Sequence, residues 1–375
     1  MFKIFRPLIF KINPEAAHSL AIQALKSDIL FRNKKTYNEK VGTPILNTKF
    51  FGKNIQNPLG IAAGFDKDAE VYNQLFRLGF SFVEVGTITP KAQYGNPKPR
   101  VFRLEEDNAL INRLGFNNSG SDKISSRIKK NVPYPGLLGI NIGPNKDTEN
   151  RIEDYLKCFR KFYDHENQEF LGDYITINIS SPNTEKLRDF HNKNELEELL
   201  DAIQKEKNKL KSNIPIAVKI SPDINNNEVD TLSEILIKYS IDIAIISNTT
   251  DGNRESLNNI NKLEKGGLSG KPIETRSNEL IKNFYKAFGK NIKIIGVGGV
   301  DSGKSALEKI LSGASLVQLY TGMVYKGPNI AQEIIKELND ILKNQGIKNI
   351  SEIIGTKNWS WRVSSEILYS HIFYV

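Results

Sequence analysis

Residues 292–311 read IKIIGVGGVDSGKSALEKIL: an apolar run, a glycine turn, then a helical stretch. Two architectures compete for it. Gly298 to Ser305, GGVDSGKS, formally matches G-x-x-x-x-G-K-S, the loop that cradles nucleotide phosphates, with Lys304 as its lysine. That reading makes the chain a P-loop NTPase. In the other, the turn opens a helix late in a repeating strand–helix fold, and unpaired backbone N–H groups at the helix N-terminus offer a phosphate site. Which reading holds depends on what precedes and follows.

Working outward, short apolar runs recur from about residue 55, each followed by a helical pattern or a loop. They are NPLGIAAG (57–64), FSFVEVGT (80–87), GLLGINIG (136–143), YITINIS (174–180), IPIAVKIS (214–221), IDIAIISNTT (241–250), IKIIGVGG (292–299) and SLVQLYTG (315–322). Near-continuous apolar runs mean strands buried on both faces, the mark of a parallel sheet. Eight such units predict an α/β fold, a TIM (β/α)8 barrel, with a doubly wound open sheet as the competitor. The glycine turn follows the seventh strand, not an early one. The run after it ends in Tyr320, Thr321 and Gly322, with no Asp to hold Mg²⁺. The NTPase reading loses on both counts.

In a barrel of this kind the chemistry sits at the C-terminal strand ends. Those ends offer Ala63, Gly64, Asp66 and Lys67; Thr87; Asn141; Asn178 and Ser181; Lys219; Ser247, Asn248 and Thr249; Gly298 and Gly299; Tyr320 and Thr321. Any one of them serves as a cap or turn residue elsewhere. Their joint occurrence at one end of successive strands points to a polar, metal-free site. His18, His165, His191 and His371 lie elsewhere, so neither a two-His metal site nor a Ser-His-Asp triad has support. Amides and hydroxyls suit a planar heterocycle with alternating donors and acceptors. Lysines suit a carboxylate, or negative charge developing on a ring.

The rest of the chain sets the boundaries. Cys158, in the helical stretch YLKCFRKFY, is the one cysteine, so no intramolecular disulfide is possible, and it reads as a small core residue. Net charge is +9 and the hydrophobic fraction 39%, ample for a core. The charge suits anionic surfaces, yet many lysines fall on ordinary solvated helix faces such as ELEELLDAIQKEKNKLKSN. No apolar run reaches the roughly 18–20 residues that span a bilayer, and no signal-type cleavage site follows the N-terminus. A cytoplasmic location is expected. The N-terminus, MFKIFRPLIFKINPEAAHSLAIQALK, predicts two short helices, the second begun by Pro14 with Asn13 as its N-cap. Their Phe and Ile residues among Lys and Arg fit a membrane interface, or equally an arm packed on its own domain. No stacking aromatics alternate with a basic groove, so nucleic acid is not the expected partner.

Taken together, NPLGIAAGFDKDAE, VEVGTITP, GNPKPRVFRL, INRLGFNNSG, NISSPNT, VKISPD, ISNTT, GGLSGKP, IIGVGGVDSG and LVQLYTG resemble the class 2, quinone-dependent dihydroorotate dehydrogenases from the NPEAAH segment to about residue 355. The resemblance implies an FMN-dependent TIM barrel that oxidises dihydroorotate to orotate in pyrimidine synthesis and passes the electrons to a membrane quinone. Ser181, where class 1 members carry cysteine, is then the base that takes the C5 proton while hydride leaves C6 for N5 of FMN. An unassisted serine is a poor base, and Thr184 and Phe116 would surround a water relay.

The remaining roles carried by the resemblance follow the motifs. Lys67, Asn112, Arg113, Leu114, Gly115, Phe116, Asn178, Asn183, Asn248 and Thr249 would meet the substrate. Ala63, Gly64, Lys67, Thr87, Asn141, Asn178, Lys219, Ser247, Gly270, Gly299, Tyr320 and Thr321 would hold FMN, with Lys219 at the flavin pyrimidine edge. His18, Arg103 and Tyr320 would line a quinone tunnel. Residues 1–44 become the helical arm on the membrane, 45–355 the barrel, and 356–375 a tail that fits no family motif and holds Trp359 and Trp361. The expected place is the cytoplasmic face of the cell membrane, held peripherally. A flavin barrel with another acceptor is the nearest rival left open, with a P-loop NTPase and a silent membrane-binding barrel behind it.

Overall fold

Each of the eight apolar runs forms a strand: β1 Leu59–Ile61, β2 Phe82–Ile88, β3 Leu137–Ile142, β4 Tyr174–Asn178, β5 Ile216–Ile220, β6 Ile243–Ile246, β7 Lys293–Val297 and β8 Leu316–Leu319. They close in chain order into one parallel barrel, β8 pairing back onto β1 through Leu319 and Ile61. The molecule is therefore a TIM barrel, as the sequence predicts. The structure is a computed structural model, and it describes residues 2–27, 43–184, 187–252, 254–289 and 291–358. Trp359 and Trp361 fall outside these residues.

Strands buried on both faces explain the apolar runs. One face packs outward against the helical ring, as Ile140, Ile175 and Val218 do. The other fills the barrel with Phe82, Leu137, Tyr174, Ile243, Ile295 and Leu316. A short hairpin, Thr48–Phe50 and Lys53–Ile55, adds Phe50 and Ile55 to that interior cluster beside the strand starts. Cys158 is buried in the outer layer, as expected of a core residue, and burial pushes its thiol pKa up.

Glu84 is the exception inside the barrel. Its carboxylate, fully buried, accepts from Asn141 Nδ2 (2.7 Å), Tyr174 OH (3.1 Å) and Gln318 Nε2 (2.9 Å). Three donors from three strands replace the water it has lost.

Above the C-terminal strand ends lies an antiparallel sheet of Val101–Leu104, Ala109–Asn112 and Gly267–Gly270, the middle strand pairing Asn112 with Gly267. Against this roof rest two N-terminal helices, α1 Phe2–Phe10 and α2 Pro14–Lys26. Asn13 caps α2 as its sequence suggests, its side-chain oxygen accepting from the amides of Glu15 and Ala16 (3.0 and 3.3 Å). Ile22 and Leu25 are buried, whereas Ile4, Phe5, Leu8 and Leu20 face outward. Two arginines tie the arm to the roof. Arg103 donates to the carbonyls of Phe10 and Ile12 (3.0 and 2.8 Å) and stacks its guanidinium over the Phe10 ring; Arg100 pairs with Glu15. Among the described residues no helix is long and apolar enough to cross a membrane.

Candidate active site

Glu84 sets the orientation of the polar groups above it. A carboxylate only accepts, so Asn141 must turn its Nδ2 down to Glu84 and its Oδ1 up. That oxygen then accepts from Thr87 Oγ1 (2.6 Å) and Asn178 Nδ2 (3.2 Å). Asn178, its Nδ2 also donating to Thr87 Oγ1 (2.9 Å), is left presenting Oδ1, which accepts from Asn248 Nδ2 (3.3 Å). Asn248 Nδ2 donates to Ser180 Oγ as well (2.9 Å), and its Oδ1 accepts from the Thr249 amide (2.8 Å). Four strands thus hold one chain of side chains whose donor and acceptor ends are all assigned from below.

Ser181 stands just past the end of β4, next to Pro182. It is buried, and its Oγ accepts from the Asn183 amide (3.3 Å). Among the described residues that hydroxyl donates to nothing. Asn183 Nδ2 reaches Asn112 Oδ1 (3.3 Å), and Asn112 Nδ2 reaches the Gly267 carbonyl (3.4 Å), which joins the β4 loop to the roof.

One cavity between the strand ends and the roof gathers these groups. Ser181, Asn178, Asn183, Asn112, Asn248, Thr249, Leu114, Gly115 and Phe116 line it, as do Lys67, Lys219, Ala63, Gly64, Thr87, Ser247, Gly270, Gly299, Tyr320 and Thr321. Two predicted site residues stand apart. Asn141 lies one layer down, acting on Thr87 and Asn178. Arg113 turns outward to Glu264 (2.7 Å) and the Lys265 carbonyl (3.0 Å), its guanidinium over Phe102. Neighbouring INRLGF residues face the cavity because the left-handed backbone at Gly115 and Phe116 (φ +72° and +52°) turns the chain inward after it.

The two lysines enter at different heights. Lys219, in register with Asn178, is buried, and loss of water lowers its pKa while Glu84 opposes the shift. Lys67 is pushed down to about 8, chiefly by burial, with Glu15 and Asp68 holding it up against Arg100. Both ammonium groups favour an anionic neighbour in the cavity.

A second, largely apolar cavity runs between the arm and the roof. Phe10, Ala21, Leu25, Val101 and Met323 line it together with His18 and Arg103. His18 packs edge-on against Phe65 (5.2 Å), and burial, helped by Lys67, drives its pKa down to about 3, so it is neutral near pH 7. Lys67, Leu114 and Tyr320 line both cavities and form the partition between them.

The glycine turn after β7 departs from expectation in detail. The N-terminus of the helix Gly303–Ser312 is not free: Ser302 and Ser305 cap it reciprocally, and the Gly303 amide donates to Glu337. Ser305 Oγ, which a P-loop would spend on Mg²⁺, accepts from the Asp301 and Ser302 amides instead. The unpaired amides lie earlier. Those of Gly299 and Val300 donate to no protein acceptor among the described residues. Gly299 needs its positive φ (+77°), and a Cβ there would come within 2.4 Å of Glu274. Ser247 Oγ, just past the neighbouring strand β6 and lining the same cavity, is buried with no partner among the described residues. A bound group that accepts at the turn and pairs with Ser247 fits this donor set, as a flavin with a terminal phosphate does.

Sequence reasoning missed Glu84 and the roof strands. The acid in the middle of the apolar run FVEV was its one visible signal.

The family model described as dihydroorotate dehydrogenase matches residues 45–342. A relative from Bartonella tribocorum named dihydroorotate dehydrogenase (quinone) is 45% identical over 354 residues, covering 93% of this chain and 94% of its own. One of the same name from Brucella anthropi is 43% identical over 365 residues, covering 95% and 96%. Among solved structures, the ligand-free enzyme of Eimeria tenella superposes with a TM-score of 0.85 at 36% identity, covering 92% of this chain and 100% of that one. Its complex with ferulenol gives 0.84 at 35%.

Proposed function

This chain belongs to the dihydroorotate dehydrogenase family, and on that premise we propose that it oxidises dihydroorotate to orotate for pyrimidine synthesis with FMN bound and a membrane quinone as acceptor. One observation carries the reading. A serine with an unspent proton, four fixed asparagines and two desolvated lysines converge on a cavity that adjoins a second, apolar one at Lys67, Leu114 and Tyr320.

In this reading Asn112, Asn178, Asn183 and Asn248 hold the pyrimidine amides, each neutral side chain offering one donor and one acceptor to a ring with both N–H and C=O groups. Lys67 pairs with the carboxylate, and the backbone from Arg113 to Phe116 with Thr249 closes over the ring. Ser181 Oγ takes the C5 proton as its own proton leaves along a relay bounded by Thr184 and Phe116. FMN, when bound, would supply two-electron chemistry, accepting hydride from dihydroorotate and passing both electrons to a quinone. Lys219, Ser247 and Thr87 would lie against the flavin, the Lys219 ammonium favouring negative charge there, and Gly270, Gly299, Tyr320 and Thr321 would hold its phosphate. Roof and arm exclude bulk water, which strengthens each of these charge interactions.

The apolar cavity beneath the arm takes the quinone, with His18 and Arg103 at its polar points. The exposed Ile4, Phe5 and Leu8, with Arg6 and Lys11 among them, lay the arm on the cytoplasmic membrane surface without crossing it. Residues 1–44 act as this arm and 45–355 as the catalytic barrel.

Steady-state turnover tests the proposal. Orotate should appear when a soluble ubiquinone analogue is supplied, and not with fumarate or NAD⁺ alone. Orotate formation with fumarate or NAD⁺, and none with quinone, would move the chain to another acceptor class.

A further inference from the structure

Lys309 is fully buried on the helix Gly303–Ser312, behind the glycine turn and outside the barrel wall. Both its partners are neutral: Ser277 Oγ (3.0 Å) and Asn278 Oδ1 (2.9 Å). A lysine donates only, so Ser277 Oγ must accept from it and send its own proton elsewhere. That proton goes to the carbonyl of Val297, the last residue of β7. The same carbonyl accepts from the Ser247 amide (3.1 Å), and the next residues are Gly298, Gly299 and Val300, whose turn carries the unpaired amides. Ser277 also backs the turn sterically, since a Cβ at Gly298 would stand 3.2 Å from its own. A buried cation is costly unless something anionic compensates. Burial pushes this ammonium down to about 7; Glu274 pulls it up and Lys271 pushes it down, neither in contact with it.

We propose that Lys309 is a positioning residue for the phosphate of the bound cofactor: through Ser277 it locks the Val297 carbonyl, and so the Gly299 and Val300 amides, while its charge lies behind the turn that receives the dianion. The inference rests on the FMN reading above. It assigns the charge of the phosphate site to a side chain that never touches the ligand, where Lys304, the lysine of the P-loop match, plays no part.

Two flavins that differ only in the phosphate test it. Full-length protein stripped of flavin is titrated with FMN and with riboflavin, following the quenching of flavin fluorescence. Lys309→Met should weaken FMN by about tenfold or more and riboflavin by less than about twofold. Ser277→Ala, which keeps the cation but cuts its link to Val297, should weaken FMN by about threefold, again sparing riboflavin. Equal losses for both flavins would mean a merely structural lysine, and no loss for either would mean an idle one; each overturns the proposal. Should Lys309→Met fail to fold, Ser277→Ala decides by the same comparison. Wild-type protein that binds neither flavin, or both equally well, would instead strike down the FMN reading, and the role of Lys309 with it.

Discussion

Ser181 is asked to act as a base without a histidine, and its surroundings say how much help it has. Its Oγ accepts one amide hydrogen bond and keeps its proton free, which positions the oxygen without making it more basic. The help must come from coupling to hydride loss and from the relay. Positioned proton transfer contributes roughly 10²–10⁴-fold, so Ser181→Ala should slow flavin reduction by dihydroorotate by about that factor and leave reoxidation by quinone intact. Stopped-flow traces of the two half-reactions check this, and an equal loss in both would mean misfolding. Lys67 makes a separate prediction. Its ammonium is charged below about 8 and neutral above it, so its attraction for a carboxylate fades as pH rises through that value. The kcat/KM for dihydroorotate should therefore fall above about pH 8 with kcat less affected, because bound carboxylate holds the proton on. In Lys67→Met this alkaline limb should vanish, with KM raised below about pH 8.

At the scale of elements, the arm and the roof form one device. Arg103 reads in sequence as a tunnel residue, and it does line the apolar cavity, yet its hydrogen bonds go to the carbonyls that end α1. Arg103→Ala removes two charge-assisted hydrogen bonds and a stacked ring contact. The arm should then become sensitive to protease, and the quinone half-reaction should slow by about tenfold or more while flavin reduction by dihydroorotate is unchanged. Loss of both half-reactions would place the role of Arg103 in the barrel instead. The eight barrel strands were legible because β-branched runs buried on both faces declare themselves locally. The roof was not: Val101–Leu104 and Gly267–Gly270 are short, and each gains its meaning from pairing with Ala109–Asn112 far along the chain or close beside it. Glu84 escaped for a similar reason. A lone acid in an apolar strand becomes an anchor only when Asn141, Tyr174 and Gln318 arrive from three other strands. Arg113 shows the reverse limit, since membership in a motif says which loop approaches the site, not which way each side chain turns.

Over the whole molecule, two cavities meet at Lys67, Leu114 and Tyr320, and that arrangement separates the two half-reactions in space. In the proposed function dihydroorotate takes the cavity with the amides and Ser181 and the quinone takes the apolar one, so neither needs to leave for the other to bind. Double-reciprocal plots at several quinone concentrations should be parallel lines, the pattern of two half-reactions sharing one redox carrier. The anaerobic visible spectrum of the purified protein, taken before and after dihydroorotate, reads cofactor, substrate and acceptor together. A flavin band that bleaches on adding dihydroorotate, then returns on adding a soluble quinone, is the predicted result. A bound flavin that dihydroorotate leaves unchanged, or folded protein that retains no FMN when it is supplied, would contradict the account.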